Sequence, residues 1–206
     1  MSEKIKYSLT LCVCVLLAGI MDFAVATLFQ DFLHVPLFFD TIFLIAVLFS
    51  FGPLASFIVY VINISIVCLK LELLYGKTDY VWVYSLSAFV IILITWLFIR
   101  KEENLKKGVN HTFIYILTAS VSAALVCSVV SGFISYFTFR MNVGNWTFDK
   151  LIFAFSGEYM DVLTSCIVGR FPIIILDRII TTFAGFGIHL LFIAFAKKHR
   201  LLKETF

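Results

Sequence analysis

The chain has 206 residues, 62% of them apolar and 14% charged, a formal net charge of +3, and a mean hydropathy of +1.04. Soluble domains carry charge on about a quarter of their residues, and a compact body of this size leaves too much surface to hide so much apolar side chain from water. A soluble globular domain is therefore excluded. The absence of a long basic tract speaks against nucleic acid as a partner. What remains is an all-α, multi-pass protein of the cell membrane, with the lipid bilayer as much of its solvent.

A bilayer core about 30 Å thick takes about 20 apolar residues in helix. The first span is predicted over 8–29 and contains one acid, Asp22. Lys4 and Lys6 precede it, and the apolar run passes Gly19 without a small-x-small cleavage site, so it reads as a retained helix and not a signal peptide. A break at 30–36 holds Asp31 and His34. The stretch from Leu37 to Leu69 is too long for one upright helix, and Gly52-Pro53 divides it into a short span at 37–51 and a full one at 53–70. Further spans are predicted at 80–99 and 112–139, separated by the charged loop 100–108. Polar residues punctuate 140–171, which reads as an extracytoplasmic loop carrying a short interfacial helix, and the last span covers 172–196.

These six spans form a single transmembrane domain over 1–206 and place both termini on one side. The N-terminus, the 100–108 loop and the C-terminal tail hold ten of the sixteen Lys and Arg residues, against Lys70, Lys77, Arg140, Lys150 and Arg170 on the opposite side. By the positive-inside rule both termini are cytoplasmic.

Ionisable residues inside spans cost about 2.5–3.5 kcal/mol each at the bilayer centre. Asp22, Asp40, the Asp177-Arg178 pair and His189 are the residues concerned. A salt bridge between helices (Arg178 with Asp40 or Asp22) and contact with a ligand are both open for them. Arg178 follows Asp177 by about 100° around the helix, which sets the two toward different neighbours. His189 reads as a neutral imidazole bonded to an adjacent helix. Ser120, Ala124, Ser128 and Gly132 form a stripe of small residues along the fifth span, suited to close approach of another helix. The five cysteines are scattered without metal or redox spacing. No zinc-protease, serine-hydrolase, aspartyl-dyad or P-loop motif is present, which points away from an enzyme and from any cofactor.

Two stretches carry a resemblance. The first is Val35-Pro36-Leu37-Phe38-Phe39-Asp40-Thr41-Ile42, followed by Phe51-Gly52-Pro53-Leu54-Ala55; the second is Arg170-Phe171-Pro172-Ile173-Ile174-Ile175-Leu176-Asp177-Arg178, running into Phe183-Ala184-Gly185-Phe186-Gly187. Together and in this order they resemble the substrate-binding S components of energy-coupling factor (ECF) transporters, and the similarity spans most of the chain. It implies a subunit that captures a vitamin or similar small nutrient from outside. Its implied partners are a transmembrane coupling subunit and two cytoplasmic ATPase subunits. The family's pocket, on the outer side, maps here onto His34, Asp40, Trp146, Glu158, Tyr159, Asp161, Asp177 and Arg178. Its docking surface on the first helix maps onto Cys14-x-x-x-Ala18, with Asp22 one turn on. The metal-binding members begin Met-His, and Met1-Ser2 departs from that, so no metal is expected. A membrane sensory or regulatory module is the alternative from a different class.

Overall fold

The computed structural model describes residues 3–35, 37–76, 81–105, 107–139 and 161–198. Among them there is no strand. Helix α1 (Glu3–Thr27) continues into a π-helical turn (Leu28–Phe32); after a non-helical stretch come α2 (Ile42–Phe51) and α3 (Pro53–Tyr75). A 3-10 turn (Val81–Tyr84) leads into α4 (Ser85–Ile99), and a second (Glu102–Leu105) precedes α5 (Val109–Phe139). The described chain ends with the short α6 (Val162–Val168) and α7 (Phe171–Lys198). Five helical stretches are long and apolar enough to cross a membrane: Ser8–Phe32, Pro53–Leu74, Val81–Ile99, Val109–Phe137 and Val162–Ala196. This is a multi-pass membrane protein.

The expected short span at 37–51 is helical only from Ile42, and α2 has 10 residues. At 1.5 Å per residue it is about 15 Å long, half a bilayer core. Yet it is the centre of the bundle, packed against α7, α3, α1 and α4, with Leu44, Ile45 and Leu48 fully enclosed. Gly52 ends it at φ +89°, a conformation that a Cβ would oppose, and its N–H donates to Leu48 O. Pro53 then occupies the first turn of α3, where its missing N–H costs nothing.

Close helix approach rests on small residues. A Cβ on Gly185 of α7 would lie 2.7 Å from Ile42 O and 2.8 Å from Ile45 Cβ, so the α2–α7 contact requires glycine there. The small-residue stripe of α5 is met within the chain: Ser120, Ala124 and Ser128 are fully buried, and Gly132 touches Ile167 of α6. Outward faces are apolar, with Leu9, Leu17 and Ile20 on α1 and Leu54 and Leu73 on α3 exposed, as lipid contact demands.

Candidate functional site

The non-helical stretch before α2 passes through the body of the protein, where each backbone polar group needs a partner. Side chains from three helices supply them. Asp177 Oδ1 of α7 accepts from Phe38 N at 2.8 Å and Phe39 N at 3.0 Å. Gln30 Nε2 donates to Phe38 O at 3.1 Å, and Asn63 Nδ2 of α3 donates to Asp40 O at 3.1 Å. The first turn of α2 is capped from another helix: Asp22 of α1 accepts from Phe43 N and Leu44 N, each at 2.8 Å. Those N–H groups would otherwise be orphans of a helix start, and the carboxylate also complements the positive end of the helix dipole. Phe39, at φ 49° and buried, sits in the left-handed region, held there by the bond to Asp177.

Arg178 closes this cluster. Its Nη1 donates to Thr41 Oγ1 at 2.7 Å, and its Nη2 lies 2.5 Å from Asp177 Oδ2 and 3.3 Å from Asp40 Oδ1. The sequence reading set Asp177 and Arg178 toward different neighbours. Instead both grip the same segment, 38–41, because the long Arg side chain folds back on its predecessor. Asp22 takes no part in an ion pair with Arg178; it caps α2.

Beside the cluster lies a cavity of about 310 Å³, bordered by α1, α3, α4, α5, α7 and the segment before α2. Asp40, Thr41 and Arg178 line it, with Tyr60 and Asn63 from α3, Tyr84 and Ser87 from the α4 arm, Ser131 from α5 and Arg170 before α7. The rest of the wall is apolar, including Phe38, Ile64, Ile91 and Ile174. Arg170 Nη1 donates to Tyr84 Oη at 3.4 Å, its guanidinium lies 5.9 Å from the centre of that ring, and Tyr84 Oη is 3.2 Å from Ser135 Oγ.

Several polar atoms on wall residues have no partner, Arg178 Nε among them, and two lie outside the Arg178 cluster. Asn63 donates to a carbonyl, which can only accept, so the amide orientation is fixed and Oδ1 is left as a buried acceptor without a donor. Ser87 Oγ is likewise buried and unpaired. Buried polar groups are nearly always satisfied in folded proteins, so these two stand out on the cavity wall.

Of the residues named from sequence, Asp40 and Arg178 meet at the cavity, and Asp177 stands behind them, fully buried. His34 is exposed and absent from the lining. Asp161 is the exposed N-cap of α6, accepting from Thr164 Oγ1 at 2.5 Å and Thr164 N at 3.3 Å, bonds that hold its carboxyl below the usual range. Trp146, Glu158 and Tyr159 lie outside the described residues. On α1, Ala18 is buried against the bundle and Cys14 is half-buried, and Gly19 beside Ala18 brings α1 against Ile62 of α3. His189 Nδ1 is 2.9 Å from Ser50 Oγ. Ser50 Oγ also lies 2.8 Å from Ala46 O of its own helix.

Sequence reasoning missed Tyr60, Asn63, Tyr84, Ser87 and Ser131. Asn63 had a signal, as the one amide side chain within 53–70; the hydroxyls had none. Among the described residues no three His, Cys, Asp or Glu side chains converge where a metal ion could sit. No family model, curated protein or solved structure matches this chain.

Proposed function

We propose that this protein is a substrate-capture subunit for uptake of a small nutrient, working as the S component of an ECF transporter. The observation that carries the reading is the 310 Å³ cavity with Asn63 Oδ1 and Ser87 Oγ unpaired on its wall. Its volume is at the lower end of small-molecule pockets, about 300–1,000 Å³. It adjoins a half-length helix whose approach is non-helical. Broken helices of this kind are tolerated within a membrane where they are buried in protein or line a cavity, and in transporters they border substrate sites.

In this reading α2 completes a six-crossing topology with both termini in the cytoplasm, supported by the ten-to-five distribution of Lys and Arg. The cavity then opens toward the outer leaflet. The protein performs no chemistry on its cargo. Energy comes from a transmembrane coupling subunit with two cytoplasmic ATPase subunits, docked on a lipid-level face of the bundle.

Affinity purification of the tagged chain from its host membranes tests this. The coupling and ATPase subunits are expected to co-purify, and native mass spectrometry is expected to reveal a retained small molecule. A protein that brings down no ATPase-bearing complex and holds no small molecule sinks the proposal. Labelling of single cysteines placed at Glu103 and at Trp82 tests the topology: the first should react only from the cytoplasm and the second only from outside.

A further inference from the structure

The cavity has chemically different ends. Arg170 precedes Arg178 by eight residues, about 12 Å of helix rise, which separates an Arg170–Tyr84 end from an Asp40–Asn63–Arg178 end. At the second end the charges do not balance. Arg178 brings one positive charge, Asp40 and Asp177 two negative ones. Asp177 is fully enclosed, with Oδ1 taken by two N–H groups and Oδ2 by the guanidinium. Asp40 is different: its contact with Arg178 is 3.3 Å long, and its side chain is 35% exposed on the cavity wall. Asn63 is bonded to the Asp40 backbone, so its unpaired Oδ1 belongs to the same corner. Two acceptors with unused lone pairs thus stand together in a corner where two carboxyl groups share one guanidinium.

The guanidinium at this end is a poor anion receptor. Its terminal nitrogens already donate to Thr41 and Asp40 and are ion-paired with Asp177. Only Nε lacks a partner, without the paired N–H edge that a carboxylate or phosphate takes. Bringing a second uncompensated negative charge into a low-dielectric corner is strongly unfavourable. A positively charged donor meets no such opposition, and the same cavity is lined by Tyr60, an aromatic residue of the type that attracts cations.

We infer that the Asp40–Asn63 corner recognises a cationic nitrogen head group, an ammonium or a protonated amino-heterocycle, on a small compound whose apolar body lies along Phe38, Ile64 and Ile91. The head donates to Asn63 Oδ1 and Asp40, and Ser87 Oγ bonds a second polar atom of the same molecule. This deepens the proposed capture function and rests on it.

The test uses the full-length protein in lipid nanodiscs. The probe is desalted yeast extract separated by ion exchange into cationic, neutral and anionic fractions. The cationic fraction alone should raise the melting temperature and give a bound mass in native mass spectrometry. Asp40→Asn should weaken that binding at least tenfold. Ser87→Ala should weaken it several-fold while leaving the melting temperature of the empty protein unchanged, because its hydroxyl has no protein partner; it carries the test should Asp40→Asn not fold. Binding from the neutral or anionic fraction overturns the inference and leaves the capture function standing. Cationic binding that neither variant weakens overturns it too, by placing the ligand elsewhere. Binding from no fraction overturns both.

Discussion

Two buried polar regions lie side by side in this protein and treat hydrogen bonds differently. Around the start of α2, the carboxylates of Asp22 and Asp177 each accept two backbone N–H groups, and Arg178 completes the second. A few residues away, Asn63 Oδ1 and Ser87 Oγ face the cavity with no partner at all. The first region binds backbone and belongs to the fold. The second is open to the cavity and, in the proposed function, serves whatever enters it. Both contain costly polar residues inside apolar helices, so polarity alone does not identify a site; what separates the two is that the carboxylates of the first hold backbone N–H groups, whereas Asn63 Oδ1 and Ser87 Oγ hold nothing.

Replacing Asp177 by Ala should break that contrast most severely. It leaves the N–H groups of Phe38 and Phe39 unpaired, and Arg178 without its nearest counter-ion. Removing one member of a buried pair costs about 3–5 kcal/mol. The variant is expected to melt far lower than the parent in detergent, or to fail to accumulate as monodisperse protein. A parent-like melting temperature would show that the segment before α2 is held by something else. Asp22→Ala should follow at about 2–4 kcal/mol, the cost of two buried N–H groups without an acceptor. Asp22→Asn keeps one acceptor oxygen and should recover about half of that loss in the same measurement.

This division also explains what could be read from the sequence. Apolar length announced the long helices, and Gly52-Pro53 announced the break between α2 and α3, because both signals are local. Asp22, Asp40, Asp177 and Arg178 stood out because charge within a span is expensive. Their roles did not, since a carboxylate that caps a helix from across the bundle looks the same in sequence as one that binds a ligand. The helix start at Ile42 was hidden for the same reason: Leu37, Phe38 and Phe39 are as apolar as any span, and only the partners of their backbone groups keep them out of helix. Ser87 and Ser131 were hidden because small hydroxyls are common on apolar helices, where they usually bond their own backbone, as Ser128 and Ser135 do here.

A smaller effect tests the packing that sets the two regions next to each other. Gly185→Ala places a Cβ within 3 Å of Ile42 O and Ile45 Cβ, forcing α7 away from the start of α2. Overpacking of this kind costs about 1–3 kcal/mol. A drop in melting temperature smaller than that of Asp22→Ala is expected. Ligand binding should fall with it, because Arg178 rides on α7 and Thr41 on the segment it faces.

The smallest effect is the most discriminating. Thr95 carries a second unpaired buried hydroxyl on α4, eight residues beyond Ser87 and outside the cavity lining. Substituting an unsatisfied buried hydroxyl by an apolar group of the same shape is neutral or stabilising. Thr95→Val should therefore leave the melting temperature of the empty protein unchanged or raise it by an amount corresponding to about 1 kcal/mol at most. In that measurement it should match Ser87→Ala. The two should part only when ligand is added: Thr95→Val binds like the parent, because Thr95 does not line the cavity, whereas Ser87→Ala loses a bond to the ligand. Equal loss of binding in both would mean that an unpaired hydroxyl on α4 reports helix packing and not a ligand, and the open region would lose its distinction from the one that binds backbone.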